Sequence, residues 1–321
     1  MIKYLQKFYY NYKKRFFKKI KPLLGKVVMI ALTYQCQCKC EHCGSHMQKK
    51  DLENELRETE IKELISESRK LGANEIYFFG GEPLLITKLP DYIRYARQKK
   101  LLVRFDTNGL LLDEDRVKKL KDAGTTLIGI SIDSPYEHTH DKLRGFKGIF
   151  NKAINGIVYC KNYGIECFIS TYATKENLRN GDLVKMIDLA QSFNVKIRIA
   201  SPVCIGKWFN NTELALSEED TLLLKSLLKE DTIYWEIQDQ DNAEISFICA
   251  ALEKRFFYIT AYGDIQPCCF FPVNFGNIRK ESIKKIVSRM WNSEIFIMQK
   301  NYTDCPVNIR HFIHSYVGFR Q

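Results

Sequence analysis

Two periods of polar and apolar residues alternate along this chain. Stretches rich in β-branched and aromatic residues, four to seven long and bounded by turn residues, predict strands at Val27 to Thr33, Glu75 to Phe79, Leu101 to Thr107, Thr126 to Ile132, Glu166 to Tyr172 and Val195 to Ile199. Between them apolar residues recur every three or four positions, as at Ile61, Leu64, Ile65 and Leu71, which puts one apolar stripe on a helix. Further helices are predicted over Asp91 to Gln98, Asp113 to Ala123, Gly148 to Tyr163 and Asn180 to Phe193. Six strand-then-helix units in series imply a parallel sheet, because parallel neighbours need crossover connections. The pattern by itself leaves a barrel and an open sheet equally open. The strands read as apolar, so an apolar barrel interior is expected.

After Ala200 the regularity fades, apart from a helix predicted near Ser217 to Lys229. A boundary is placed around Asp231 to Ala243, where the polar run "DQDNAE" lies. The remainder, with short strands at "RFFYIT" and "GDIQP", reads as a small irregular module. The chain therefore divides into 1–26, 27–235 and 236–321.

Charge changes the picture at the amino end. Residues 1–26 hold nine Lys or Arg and no acid, which leaves the rest of the chain nearly balanced despite a net charge of +11. Ile2, Leu5, Phe8, Tyr12, Phe16, Ile20 and Leu23 recur at helical spacing there, so a basic amphipathic leader helix is predicted. Its aromatic face would pack on the protein's own body or rest on an anionic membrane surface; no nucleic-acid role is expected. The longest apolar runs fall far short of the ~20 residues that span a bilayer. With eleven cysteines, no cleavable signal and too long a chain for a disulfide-stapled scaffold, a reducing cytoplasmic setting is expected, with peripheral membrane contact through the leader.

Candidate chemistry begins at "CQCKCEHC", directly after the first strand, where parallel α/β folds gather their working residues. The frame Cys36-x3-Cys40-x2-Cys43 offers three thiolates to a cubane iron-sulfur cluster and leaves one iron open; Cys38 is then spare. A zinc knuckle on Cys40 and Cys43 lacks a second Cys-x2-Cys pair. "GGEP", Gly80 to Pro83, follows the second strand, "TNG" the third, and "SIDS" with "HDKLRG" the fourth.

In that order these segments resemble the signature of the radical S-adenosylmethionine enzymes over residues 27–200, with His42 where the family usually has an aromatic residue. The resemblance implies a partial (β/α)6 TIM-like barrel. It implies a [4Fe-4S] cluster on Cys36, Cys40 and Cys43 whose open iron takes exchangeable S-adenosylmethionine. It carries over Gly80, Gly81 and Glu82 for the amino group of the methionine moiety, Ser131 and Asp133 as polar contacts, and Arg144 for the cofactor carboxylate, with Thr107, Asn108 and Thr171 at the same rim. Cys249, thirteen residues, Gly263, four residues and Cys268, with Cys305 further on, resemble the SPASM or shortened twitch domain. One auxiliary [4Fe-4S] cluster is implied, its fourth ligand being Cys269, His311 or none. Cys160, Cys167 and Cys204 are expected to be core thiols. The implied activity is reductive cleavage of S-adenosylmethionine and hydrogen abstraction for an oxidative modification, dehydrogenation or peptide crosslinking. Its partners would be a flavodoxin- or ferredoxin-like electron donor and a small-molecule or peptide substrate. A noncatalytic iron-sulfur carrier or sensor accounts for the cysteines but not for "GGEP" or Arg144.

Overall fold

A computed structural model describes residues 27–50, 54–208, 211–229, 231–236, 249–297 and 305–309. The expected leader over 1–26, the run "DQDNAE" at 239–244 and His311 lie outside the described residues. The elements follow the two periods. Strand β1 (Val27–Thr33) is followed by α1 (Glu58–Lys70), β2 (Glu75–Gly80), α2 (Leu89–Gln98), β3 (Leu102–Thr107), α3 (Glu114–Ala123) and β4 (Leu127–Ser131). Then come α4 (Glu137–Arg144), α5 (Ile149–Asn162), β5 (Glu166–Tyr172), α6 (Lys175–Arg179), α7 (Asp182–Ser192) and β6 (Lys196–Ala200). The last group is α8 (Glu218–Leu227), β7 (Ile233–Trp235), β8 (Phe256–Ile259), β9 (Ile265–Gln266), α9 (Ile283–Trp291) and α10 (Glu294–Ile297).

All six expected strands form one sheet, in the order β7-β6-β5-β4-β3-β2-β1-β8-β9. Pairing is parallel throughout, except that β9 runs antiparallel to β8. Three strands, β7, β8 and β9, extend it beyond those six. The three-residue β7 adds to β6, and β8, read from the sequence as part of a separate small module, pairs with β1 over four residues. The connections are capped as their residues dictate: Asp113 accepts the N–H of Arg116 at the start of α3, and Gly124 closes its end in the left-handed region.

Alternation along β1 sends Val28, Ile30 and Leu32 into the large core beneath the helices, and Met29 and Ala31 to the opposite face with Tyr34, Tyr77, Tyr258 and Tyr262. That opposite face is concave. Tyr77 on β2 and Arg198 on β6 stand four strand spacings apart, about 19 Å if the sheet were flat, yet the Tyr77 hydroxyl accepts from Arg198 Nη1 at 3.3 Å. The sheet thus curls into a partial barrel, open among the described residues because no pairing joins β7 to β8 or β9.

The interior is not apolar, contrary to the sequence expectation. Arg104, Asp106, Ser170 and Arg198 share the concave face with Tyr77. Arg198 donates to Asp106 and to Ser170 at 2.9 Å, Tyr77 donates to Asp106 at 2.5 Å, and the Arg104 guanidinium lies 4.2 Å from the centre of the Tyr77 ring. Val103 and Phe105 of "LVRFDT" and Ile197 and Ile199 of "KIRIA" face the helices, so Arg104, Asp106 and Arg198, which alternate with them, have only the barrel to occupy.

Candidate active site

The cysteine loop is clamped from two sides. On one, the N–H groups of Gly81 and Glu82 donate to the carbonyls of Thr33 and Gln35 at 2.7 and 2.9 Å. Glycine is required there by close approach: a Cβ on Gly80 would lie 2.1 Å from the Thr33 oxygen, and one on Gly81 2.1 Å from the Gln35 oxygen. Gly80 also has φ +126°, in the range open to glycine. On the other side, the N–H groups of Lys39 and Glu41 donate to the carbonyls of Arg144 and Leu143 at the end of α4, at 2.9 and 3.1 Å.

Within the loop, Cys40 is buried and Cys36 exposed. Arg144 Nη1 lies 3.8 Å from Cys40 Sγ, and Asn108 Nδ2 lies 3.7 Å from Cys36 Sγ. Cys38 is not set apart from the frame. Its thiol sits between those of Cys36 and Cys40 and hydrogen-bonds to both. That bond is the main cause that lowers the Cys36 thiol and brings Cys40 down to about 6, where Arg144 also helps against burial. The same bonds, followed by burial, push Cys38 far up, and burial raises Cys43. The donor set fits a cubane cluster: three thiols on a short rigid loop, one of them beside a guanidinium that favours thiolate.

Arg144 and Asp133 bind each other. Nε lies 2.6 Å from Oδ2 and Nη2 donates to Oδ1 at 2.9 Å, with both side chains nearly buried. Burial pushes the Asp133 carboxyl up, but Arg144 outweighs it and holds the group below the usual carboxylate range. The guanidinium fork assigned from the sequence to a cofactor carboxylate is therefore closed on Asp133, with Nη1 alone turned toward the loop. His42, whose ring centre is 4.6 Å from that of Tyr172 and 5.8 Å from that of Trp208, has Nε2 at 3.8 Å from Asp133 Oδ2. Burial brings His42 down to about 4, so its ring is neutral.

Glu82 is turned inward. Its buried carboxylate accepts from Thr107 Oγ1 at 2.8 Å and from the N–H groups of Asn108 and Leu84 at 2.8 and 3.0 Å, and burial raises its pKa. Glu82 and Thr107 thereby join the ends of β2 and β3. Asn108 reaches the rim through Cys36. Ser131 is half-buried opposite Ser170, and Thr171 is fully buried with an Oγ1 that lacks a hydrogen-bond partner among the described residues.

The second set of thiols lies in the carboxyl-terminal region. Cys268 lies within electrostatic reach of Cys249 and Cys269, and Cys269 within reach of Cys305. Burial pushes both Cys268 and Cys269 up. Cys269 is also within electrostatic reach of Glu236 and Arg198, and its carbonyl accepts from Gln48 Nε2 at 3.0 Å. Cys160 and Cys167 are buried side by side and Cys204 is buried, as expected of core thiols. The sequence reading passed over Tyr172 and Trp208 beside His42, and over Arg198; the polar alternates within "KIRIA" and "LVRFDT" were the available signal.

Comparison with known proteins agrees with this geometry. The family model for the Radical SAM superfamily matches residues 30–190, and one for an iron-sulfur cluster-binding domain, SPASM, matches 249–307. The chain is 34% identical over 207 residues to the Fe-coproporphyrin III synthase of Methanosarcina barkeri, covering 64% of this chain and 51% of that one, about half its length. It is 32% identical over 286 residues to an AdoMet-dependent heme synthase of Oleidesulfovibrio alaskensis, covering 81% and 74%. The PqqA peptide cyclase of Granulibacter bethesdensis is 24% identical over 283 residues, covering 84% and 75%. In fold, Streptococcus suis SuiB bound to S-adenosylmethionine matches with a TM-score of 0.66 at 16% identity, over 85% of this chain and 67% of that one.

Proposed function

This chain belongs to the Radical SAM superfamily, and we propose that Cys36, Cys40 and Cys43 hold a [4Fe-4S] cluster whose uncovered iron takes S-adenosylmethionine. The observation that carries the reading is the clamped loop, which the Gly80–Glu82 turn and the end of α4 hold with Cys40 beside Arg144. When bound, the cluster and S-adenosylmethionine supply a 5′-deoxyadenosyl radical that removes a hydrogen atom from the substrate. The chain's own residues do the rest. The Gly80–Gly81 backbone offers carbonyls to the cofactor ammonium, Ser131 and Asn108 line its rim, and the Asp133–Arg144 pair and neutral His42 hold the wall against which it rests. Thr171, paired beside Ile199 on the helix side of β5, backs that wall from behind. Glu82 and Thr107 act one layer back, by fixing the turn.

Cys249, Cys268 and Cys305 would hold one auxiliary [4Fe-4S] cluster, with Cys269 as a candidate fourth sulfur, and the cluster would supply electron-transfer chemistry there. The reaction is then an oxidative modification of a tetrapyrrole-like small molecule or of a peptide, the two classes named among the relatives. A flavodoxin- or ferredoxin-like protein would supply the electron. The same reading divides the chain into a core over 27–235 and an auxiliary domain over 236–321, with residues 1–26 as a leader for membrane or self contact. No helix among the described residues is long and apolar enough to cross a membrane.

The test is anaerobic reconstitution with iron and sulfide, then S-adenosylmethionine and dithionite. The reading expects 5′-deoxyadenosine from the intact chain and none from Cys40→Ala. A fully loaded protein that forms none would instead be a noncatalytic iron-sulfur carrier.

A further inference from the structure

Beneath the candidate cofactor wall lies a polar group that the proposed machinery leaves unused. Arg198, only 7% exposed, projects from the middle of β6 onto the concave face. Its Nη2 edge is taken by Asp106 and Ser170. Its Nη1 edge meets the Tyr77 hydroxyl at 3.3 Å and faces Glu236 Oε1 at 3.9 Å, too far for a closed hydrogen bond. Glu236 is 41% exposed at its side chain, whereas Arg198 is not. The buried guanidinium thus has one edge fixed by the protein and one turned toward a carboxylate free to leave.

The cluster is built rather than incidental. A Cβ on Gly129 would lie 2.2 Å from Asp106 Oδ1 and 2.6 Å from Phe168, so β4 is stripped of a side chain where these groups cross it. Arg198 Nε and Asp106 Oδ1 are buried without a hydrogen-bond partner among the described residues, an arrangement native proteins rarely leave without a use. Stability does not call for it either, since apolar residues of similar volume serve a barrel interior at least as well as a buried ion pair. The location is apt. Ser170 lies two residues below Tyr172 on the same face of β5.

We infer that Arg198, held by Asp106, Ser170 and Tyr77, anchors a carboxylate of the substrate at its Nη1 edge, where Glu236 marks the position. The inference rests on the proposed radical chemistry and names the substrate's chemical class: a carboxylate-bearing molecule, either a tetrapyrrole with acid side chains or a peptide with an acidic residue. Glu236 competes for the same edge and swings toward solvent when the substrate enters.

The experiment is equilibrium binding to the reconstituted full chain, read by quenching of tryptophan fluorescence, with no turnover required. The probes are Fe-coproporphyrin III against its methyl esters, and a short Glu-containing peptide against its Gln counterpart. Wild type is expected to bind one of the two acids at least tenfold more tightly than its neutral partner, and the arm that does so identifies the source. Arg198→Met should abolish that discrimination, Arg198→Lys should retain part of it, and Glu236→Gln should tighten binding of the acid. Thermal unfolding and 5′-deoxyadenosine formation without substrate report separately on folding and on the radical reading. Equal binding of acid and neutral probes by wild type, no binding of either acid, or discrimination that survives in Arg198→Met would each overturn the anchor while leaving the radical reading untouched.

Discussion

Arg144 grips Asp133 with two prongs, at 2.6 and 2.9 Å, while its remaining nitrogen stands 3.8 Å from Cys40 Sγ. One guanidinium thus ties the end of β4 to the cysteine loop, and the pair is buried on both sides. Removing one member strands the other's charge. Arg144→Met should therefore cost about 3–5 kcal/mol, read as a lowered urea midpoint. Arg144→Lys should recover little of it, since an ammonium cannot form the fork. A midpoint unchanged in Arg144→Met would contradict the assignment.

The glycine turn should matter through the cysteine loop before it matters through any ligand. In Gly81→Ala the new methyl would meet the Gln35 carbonyl at 2.1 Å, an atom that cannot rotate away. The chain entering the loop must then shift. The expected result is a drop in iron bound per chain after reconstitution, while far-ultraviolet circular dichroism stays near wild type. Full iron loading in this variant would show that the contact is not limiting.

Glu82→Gln separates the two roles considered for that residue. An amide has one acceptor oxygen in place of two, so at least one of the donors Thr107, Leu84 and Asn108 loses its partner in a buried site. A loss of about 1–3 kcal/mol in unfolding free energy follows. If stability holds and only S-adenosylmethionine binding falls, the carboxylate contacts the cofactor directly.

Acid should weaken the fold through its buried histidines. His140 is fully buried, its Nδ1 accepts the N–H of Asp133, and burial brings it down to about 4; His42 is lowered likewise. Between that value and the ordinary 6.5 the unfolded chain binds more protons, so stability is complete above about 6.5 and is lost as pH falls toward 4. His140 alone accounts for up to about 3 kcal/mol of this change. His140→Gln should flatten the slope of unfolding free energy against pH in that window. An unchanged slope would refute the burial argument.

How much of this was legible in the sequence follows from how local each feature is. The cysteine frame, "GGEP" and the six strands lie in consecutive residues, and each was readable there. Helix α4 was not read as a helix because only His140 and Arg144 of its eight residues are buried, so no apolar stripe marks it. Strand β7 is too short to show a period, and β8 gave no sign that it would join β1. That Arg144 pairs with Asp133, eleven positions away, was not legible, since a motif names a residue without naming its partner. Arg198 and Tyr77 meet only because the sheet curls, and no alternation within one strand conveys that curl.

The uncovered iron is tested most directly by electron paramagnetic resonance of the dithionite-reduced protein, with Cys249 and Cys268 replaced by alanine to silence the auxiliary site, before and after S-adenosylmethionine is added. The cluster on Cys36, Cys40 and Cys43 should give a signal that shifts on addition, and the shift should persist when Cys38 is also changed to alanine. A signal indifferent to S-adenosylmethionine, or a cluster that fails to assemble without Cys38, would mean that the fourth corner is already occupied by the protein.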